Sequence, residues 1–275
     1  MTLADDLALA IAVTRTAADL ALRHFEARSD WWEKAPGDPV GVADLEVDAL
    51  LKAALLGARP GDGWLSEETA DTADRLDRRR VWVVDPIDGT RDFVKGRTGW
   101  AVSVALVEDG AVSVAALAAP ARRQLFTAAR GQGAYCNGVA VGVAGLTSLA
   151  GVRLPMDAAN LSAPFWPSPW PGDVVEKPNS VALRMAKLAN AEADAWLEGR
   201  SIWEWDIAAA SLILAEAGGV ATDRHGAALA FNKVAPVIEG IAAANAALHA
   251  EILARLDHAL RVFAARRGSV RDPDA

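Results

Sequence analysis

A mixed α/β protein in two halves is predicted from three features of the sequence. A long helical stripe opens the chain, short apolar runs bounded by turn residues fill the stretch from about 80 to 130, and strand and helix patterns alternate after about residue 145. Residues 1–145 read as α+β and residues 146–265 as α/β, while the polar run from Arg266 to Ala275 reads as a loose tail.

Each element follows from local pattern. Leu3, Leu7, Ile11, Ala18, Leu22 and Phe25 mark one face of a helix over residues 3–28. Pro36, Gly37 and Pro39 predict a loop. A second helix runs from about Asp44 through Leu55 and is stopped by Gly57, Pro60, Gly61 and Gly63. Trp64-Leu65 reads as the end of a short strand, and Val81-Trp82-Val83-Val84 as a buried one. Pro86 has no N–H for a ladder, so the chain is expected to leave the sheet there. Trp100–Val107 and Val112–Ala118 flank Glu108-Asp109-Gly110 as a β-hairpin; Gln124–Ala129 is a further strand and Gly131-Gln132-Gly133 a turn. In the second half, Val152–Leu154 is a strand. The prolines from Pro164 to Pro171 impose a loop. Helix from Ser180 to Ala191, strand from Asp194 to Leu197 and helix from Asp206 to Ala217 follow. Gly218-Gly219 is a stop, Val237–Ala243 a strand, and Ala246 to about Val262 a final helix.

Composition narrows the function classes. The 275 residues hold 28 Lys and Arg against 36 Asp and Glu, a net charge of −8, which disfavours a nucleic-acid surface. Apolar runs are broken by charge before the ~18 residues that a membrane span needs. Met1-Thr2-Leu3-Ala4-Asp5-Asp6 places acids where a signal peptide carries positive charge, so a cytoplasmic location is expected. Cys136 is the only cysteine, which excludes an intrachain disulfide and a cysteine-based zinc site. An anionic substrate would need local positive charge, and a metal is the obvious source.

Three acidic segments carry the chemistry. Asp85-Pro86-Ile87-Asp88-Gly89-Thr90 puts two carboxylates on a bend, where they can converge on one point. Gly89 allows close approach of a ligand, and the N–H groups of Gly89 and Thr90 suit a phosphate oxygen. Taken alone, this could be a solvated Asp-Gly turn. Ser66-Glu67-Glu68 could be a helix start or a solvated face, and Asp206, after Trp205, could simply cap a helix.

Together, Trp64-Leu65-Ser66-Glu67-Glu68, Val83-Val84-Asp85-Pro86-Ile87-Asp88-Gly89-Thr90 and Trp205-Asp206-Ile207-Ala208-Ala209, followed by Glu216-Ala217-Gly218-Gly219 and Asp223, resemble the inositol monophosphatase family. The likeness runs from the first helix to about residue 260. It implies a layered α-β-α-β-α sandwich of the inositol monophosphatase / fructose-1,6-bisphosphatase type, a site where the two halves meet, a homodimer and sensitivity to lithium. It also implies two or three Mg²⁺ ions held by Glu67, Asp85, Asp88, Asp206 and the Ile87 carbonyl, so that the first half carries most of the ligands and the second carries Asp206 and the substrate wall. Mg²⁺ takes oxygen ligands and keeps waters, which suits carboxylates completed by a substrate phosphate. By the same resemblance Thr90 and Asp44 lie near the attacking water, Glu67 is both ligand and proton acceptor, and Gly89 and Thr90 hold the phosphate.

Two departures stand out. Gly41 occupies a position where the family usually has a hydroxyl three residues before Asp44, and Ala210 replaces a frequent Gly, adding a methyl expected to narrow the substrate side. For the leaving group, Glu198 and Glu204 are the expected wall, reading either an inositol monophosphate or 3'-phosphoadenosine 5'-phosphate, with a sugar or histidinol phosphate as a smaller remainder. Trp166 and Trp170 are further candidate contacts. Arg78-Arg79-Arg80 could clamp phosphate but is ordinarily solvated; the four histidines and Cys136 read as structural. A non-catalytic binding protein on the same fold would be expected to lack a ligand, and all four carboxylates are present. No Gly-x-x-x-x-Gly-Lys-Ser/Thr segment exists for a P-loop enzyme.

Overall fold

A computed structural model describes residues 2–268. The chain opens with α1 (Leu3–Ala27), in which Thr2 and Asp5 cap one another's backbone N–H groups. A β-hairpin follows, β1 (Trp31–Ala35) and β2 (Asp38–Gly41), where a loop was expected: the prolines and Gly37 form and flank its turn rather than dissolve it. Next come α2 (Val42–Ala58), β3 (Gly63–Ser66), β4 (Arg80–Asp88) and the short α3 (Thr90–Val94). The hairpin of β5 (Ala101–Glu108) and β6 (Ala111–Ala119) leads to β7 (Gln124–Ala129) and the short β8 (Ala134–Cys136) and β9 (Val139–Ala140).

In the second half, β10 (Val152–Leu154) pairs in parallel with β11 (Gly172–Val174) across the proline-rich loop. Then follow α4 (Val181–Ala189), β12 (Ala195–Trp203), α5 (Glu204–Glu216), β13 (Gly219–Thr222), β14 (Val237–Asn245) and α6 (His249–Gly268). Arg266 therefore belongs to a helix, not to a loose tail; residues 269–275 of that expected tail lie outside the described residues.

Strands β3 to β9 form one seven-stranded sheet in sequence order, and β12, β14 and β13 a three-stranded one. β4 is buried on both faces, which is why it reads as a continuous apolar run. Trp82 and Val84 pack with Val47, Leu51 and Leu55 of α2 and the alanines of α1. Val81 and Val83 pack with Leu188 of α4 and Ile207 and Ile213 of α5. The far side of those helices meets Trp196, Ile238 and Ile241 of the smaller sheet, whose opposite face is covered by Ile252 and Leu256 of α6. The layers are α-β-α-β-α, as the resemblance implies.

β4 does not leave the sheet at Pro86. Its register jumps from Asp85 opposite Ser103 to Asp88 opposite Ala101, so one extra residue is accommodated in a bulge. The missing Pro86 N–H falls inside that bulge, where no ladder bond is required.

Candidate metal centre and its surroundings

The bulge in β4 turns Asp85 and Asp88 toward the first turn of α5. Asp85, Asp88 and Asp206 each offer a carboxylate oxygen within 4.8 Å of the other two. No basic side chain lies within ion-pair distance of any of the three among the described residues. Three like charges this close, two buried and one half-buried, are unfavourable without a cation, and each carboxyl responds by holding its proton more tightly. Burial, then the charges of Glu67, Asp88 and Asp206, raises Asp85 well above the usual carboxylate range. Burial and the neighbouring Asp88 push Asp206 up to about 8. Asp88 rises only to about 6, because hydrogen bonds from Ser180, Ala182 and Val181 offset part of its burial.

Asp206 is not the N-cap of α5 but its third residue, and its Oδ2 accepts the Trp203 N–H at 3.0 Å. Asp88 is held by residues 92–94 positions downstream: Ser180 Oγ donates to its Oδ2 at 2.5 Å, and Val181 and Ala182 N–H donate at 3.1 and 2.7 Å. Gly89 makes this approach possible. It sits at φ +92°, and a Cβ there would lie 2.7 Å from both the Gly99 carbonyl and the Ser180 nitrogen. Ile87 donates its N–H to Asp85 Oδ1 at 3.0 Å, while its carbonyl accepts the Thr90 hydroxyl at 3.0 Å.

Glu67, just past the end of β3, lies beside this trio rather than within it. Burial first, then the charge of Glu68, raises its carboxyl to about 8, and its charge is felt by Asp85. Lys34 of the β1–β2 hairpin reaches Glu68 at 2.5 Å and Glu67 at 3.9 Å. Asp44 Oδ1 lies 3.4 Å from Thr90 Oγ1, and burial raises its carboxyl to about 7. The hydroxyl absent at position 41 is replaced by the backbone: Gly41 N–H donates to Asp44 Oδ2 at 2.8 Å. A Cβ at Gly41 would meet the Asp30 carbonyl at 3.2 Å and Asp44 Oδ2 at 3.3 Å, so the pocket is already full.

The expected substrate wall divides. Glu198 lines a cavity of about 190 Å³ with Lys177, Arg184, Trp166 and Phe263, its carboxylate paired to Arg200 at 3.1 Å. Glu204 does not join it. It is 0% exposed, and its two oxygens accept the Asn232 and Lys233 N–H groups at 2.6 and 3.1 Å, anchoring the loop before β14. Ala210 is likewise buried in the core between the sheets, so its methyl does not narrow the substrate side. Trp166 is on the cavity wall, whereas Trp170 is buried beneath Arg255. Arg79 and Arg80 pair with Glu108, Asp109, Asp6 and Asp62 and clamp nothing.

Sequence reasoning passed over Asp48 and Ser180. Asp48, one helical turn beyond Asp44, accepts the Ser66 and Thr69 hydroxyls at 2.5 Å each and so brackets Glu67-Glu68. Its signal was the i, i+4 spacing from Asp44 on one face of α2. Ser180, a serine before a helical run, carried an N-cap signal, and it does cap α4 through the Leu183 N–H.

The inositol monophosphatase family model matches residues 3–261. A histidinol-phosphatase of Mycobacterium tuberculosis is 34% identical over 269 residues, 92% of this chain and 98% of that one. A 3'-phosphoadenosine 5'-phosphate phosphatase of Mycobacterium leprae is 33% identical over 85% of this chain and 86% of its own. Among solved structures, Thermotoga maritima IMPase matches with a TM-score of 0.80 at 28% identity, covering 94% of this chain and 98% of that one.

Proposed function

The chain belongs to the inositol monophosphatase family, and from that premise we propose that it is a Mg²⁺-dependent phosphomonoesterase acting on a small phosphate ester. The observation that carries the reading is the trio of buried Asp85 and Asp88 with the half-buried Asp206, whose all-oxygen donor set suits a hard cation and whose mutual repulsion calls for one. Asp85, Asp88, Asp206, Glu67 and the Ile87 carbonyl would hold two or three ions. Bound there, Mg²⁺ supplies Lewis acidity and positive charge for transfer of the phosphoryl group to water.

The protein's own groups do the rest. Thr90 Oγ1, fixed by the Ile87 carbonyl, orients the attacking water toward the phosphorus. Asp44 Oδ1, 3.4 Å from Thr90 Oγ1, accepts the proton relayed through Thr90 once that hydroxyl turns its hydrogen from the Ile87 carbonyl to the carboxylate. Glu67 is a second acceptor beside the ions. The backbone N–H groups of Gly89 and Thr90 hold the phosphate. Glu198 faces the leaving group, either an inositol ring or an adenosine that keeps a second phosphate. Among the described residues no helix is long and apolar enough to cross a membrane. A cytoplasmic homodimer is part of the proposal.

Phosphate release from a panel of small phosphomonoesters, with and without Mg²⁺, tests the reading. Activity is expected only with the ion, and lower in excess Li⁺ than in matched Na⁺. Full activity of EDTA-treated protein would overturn it.

A further inference from the structure

Arg184 is the least expected side chain near the site. It lies on α4, is 8% exposed, and lines the cavity next to Glu198. Buried arginines are ordinarily paired with a carboxylate. Arg184 has none within 4.0 Å among the described residues, although its charge acts on Asp88, Asp206 and Glu198. Nε and Nη2 donate to the carbonyls of Pro178 and Asn179 at 2.8 and 3.1 Å, which leaves Nη1 with no protein acceptor among the described residues. The other cations of the wall are committed, Lys177 to Asp157 at 2.8 Å and Arg200 to Glu198 at 3.1 Å. The acids nearest to Arg184 on the phosphate side are those proposed to bind cations, so they cannot also serve as its counter-ion.

A buried guanidinium whose Nη1 no protein group takes, on the wall of a cavity shared with Glu198 and close enough to Asp88 and Asp206 for its charge to act on them, suits an anion. The cavity continues past Glu198, Gly199, Leu260 and Phe263 into a groove of about 670 Å³, which brings the space into the range of small-molecule sites. Its wall offers aromatic faces, with Phe165 4.7 Å from Trp166 and 4.9 Å from Phe263 between ring centroids. We infer that Arg184 determines specificity by receiving a second anionic group carried on the leaving group, so that the preferred esters are those of an alcohol that already bears a phosphoryl group rather than of a neutral polyol. The inference rests on the phosphomonoesterase reading above and sharpens it.

The test is a pair of esters whose leaving groups differ only in the second anion, adenosine 3',5'-bisphosphate and adenosine 3'-monophosphate, assayed for release of the 3'-phosphate by the Mg²⁺-loaded enzyme. Wild-type kcat/KM is expected to favour the bisphosphate by about 10- to 100-fold, the worth of a hydrogen bond to a charged group. Arg184→Met should bring the ratio to within twofold of one, and Arg184→Lys should restore part of it. A strap that merely holds Pro178 and Asn179 would change both rates alike and leave the ratio untouched. A wild-type ratio within twofold of one, or an Arg184→Met enzyme that keeps the wild-type ratio, overturns the inference. The wild-type comparison stands even if the methionine variant does not fold. Release of phosphate from 4-nitrophenyl phosphate and inositol 1-phosphate by the wild type separates the two levels: turnover of either, with a ratio near one or with neither adenosine ester cleaved, sinks only the role of Arg184, and silence toward all four esters sinks the phosphatase reading with it.

Discussion

The acidic centre and the cavity wall beside it treat charge in opposite ways. At the centre, Asp85, Asp88 and Asp206 are packed within 4.8 Å and are supported by backbone N–H groups and Ser180, not by cations. On the wall, Lys177 and Arg200 have carboxylate partners, and Arg184 is held by carbonyls. The centre is built to be completed by positive charge, the wall by negative. A phosphate ester whose alcohol carries a second anion satisfies both, and the division of labour means that the two regions can be broken separately.

The largest effect should come from the centre. Asp206→Asn or Asp85→Asn removes one charge from the trio and is expected to lower kcat at least ~100-fold, the scale of losing one essential electrostatic element. Phosphate release under saturating Mg²⁺ measures it, and a loss under tenfold would remove that residue from the ligand set. Asp44→Asn keeps the size and the Gly41 contact but takes away the acceptor; a fall of about 100-fold in kcat with little change in KM is expected for a proton acceptor. An unchanged kcat would leave Asp44 as a brace only.

A smaller loss is expected one shell out. Asp48→Ala frees Ser66 and Thr69 and loosens Glu67, so the Mg²⁺ concentration for half-maximal activity should rise about 10-fold, as when an outer partner of a metal ligand is lost. If that midpoint does not move, Asp48 serves the fold alone.

Stability reports on the centre without catalysis. In the ion-free protein Asp44 is raised to about 7 and Glu67 and Asp206 to about 8, against about 4 in an unfolded chain. Between those values the folded state binds protons that the unfolded state has released. Their stabilisation is therefore complete below about pH 4 and is lost as pH climbs through 7 and 8. The melting temperature in EDTA should fall from pH 5.5 to 8.5, and Mg²⁺ should restore more of it at 8.5 than at 5.5; at a hundredfold excess over Kd the ion's whole contribution is about 2.7 kcal/mol. Equal Mg²⁺ stabilisation at both values would mean that the cation does not bind at these carboxylates.

The smallest kinetic effect is expected at Glu204. Glu204→Gln keeps one of the two N–H contacts to Asn232 and Lys233 and sets a donor NH₂ against the other, which should cost about 1–3 kcal/mol of stability. The kcat/KM ratio between inositol 1-phosphate and adenosine 3',5'-bisphosphate should stay within twofold. A shifted ratio would return this residue to the wall.

Local sequence by itself determined most of the strands and helices, the family, and the segments from which the candidate ligands come. These depend on short-range physics: apolar periodicity names buried strands and amphipathic helices, and Asp85-Pro86-Ile87-Asp88-Gly89-Thr90 writes its bend into adjacent residues. Tertiary structure decided what charge meets what. Glu198 and Glu204 look alike six residues apart, yet one lines a cavity and the other is consumed by backbone N–H groups from 28 and 29 residues downstream. The brace for Asp88 comes from Ser180, 92 residues away, and passes a glycine that leaves no room for a side chain. Pro86 was read as an exit from the sheet because local rules do not reveal that a bulge would absorb its missing donor. Arg184 drew no notice in the sequence, since an arginine on a helix is ordinarily solvated. Its significance lies in burial without a carboxylate partner, a property of the packed protein that no neighbouring residue encodes.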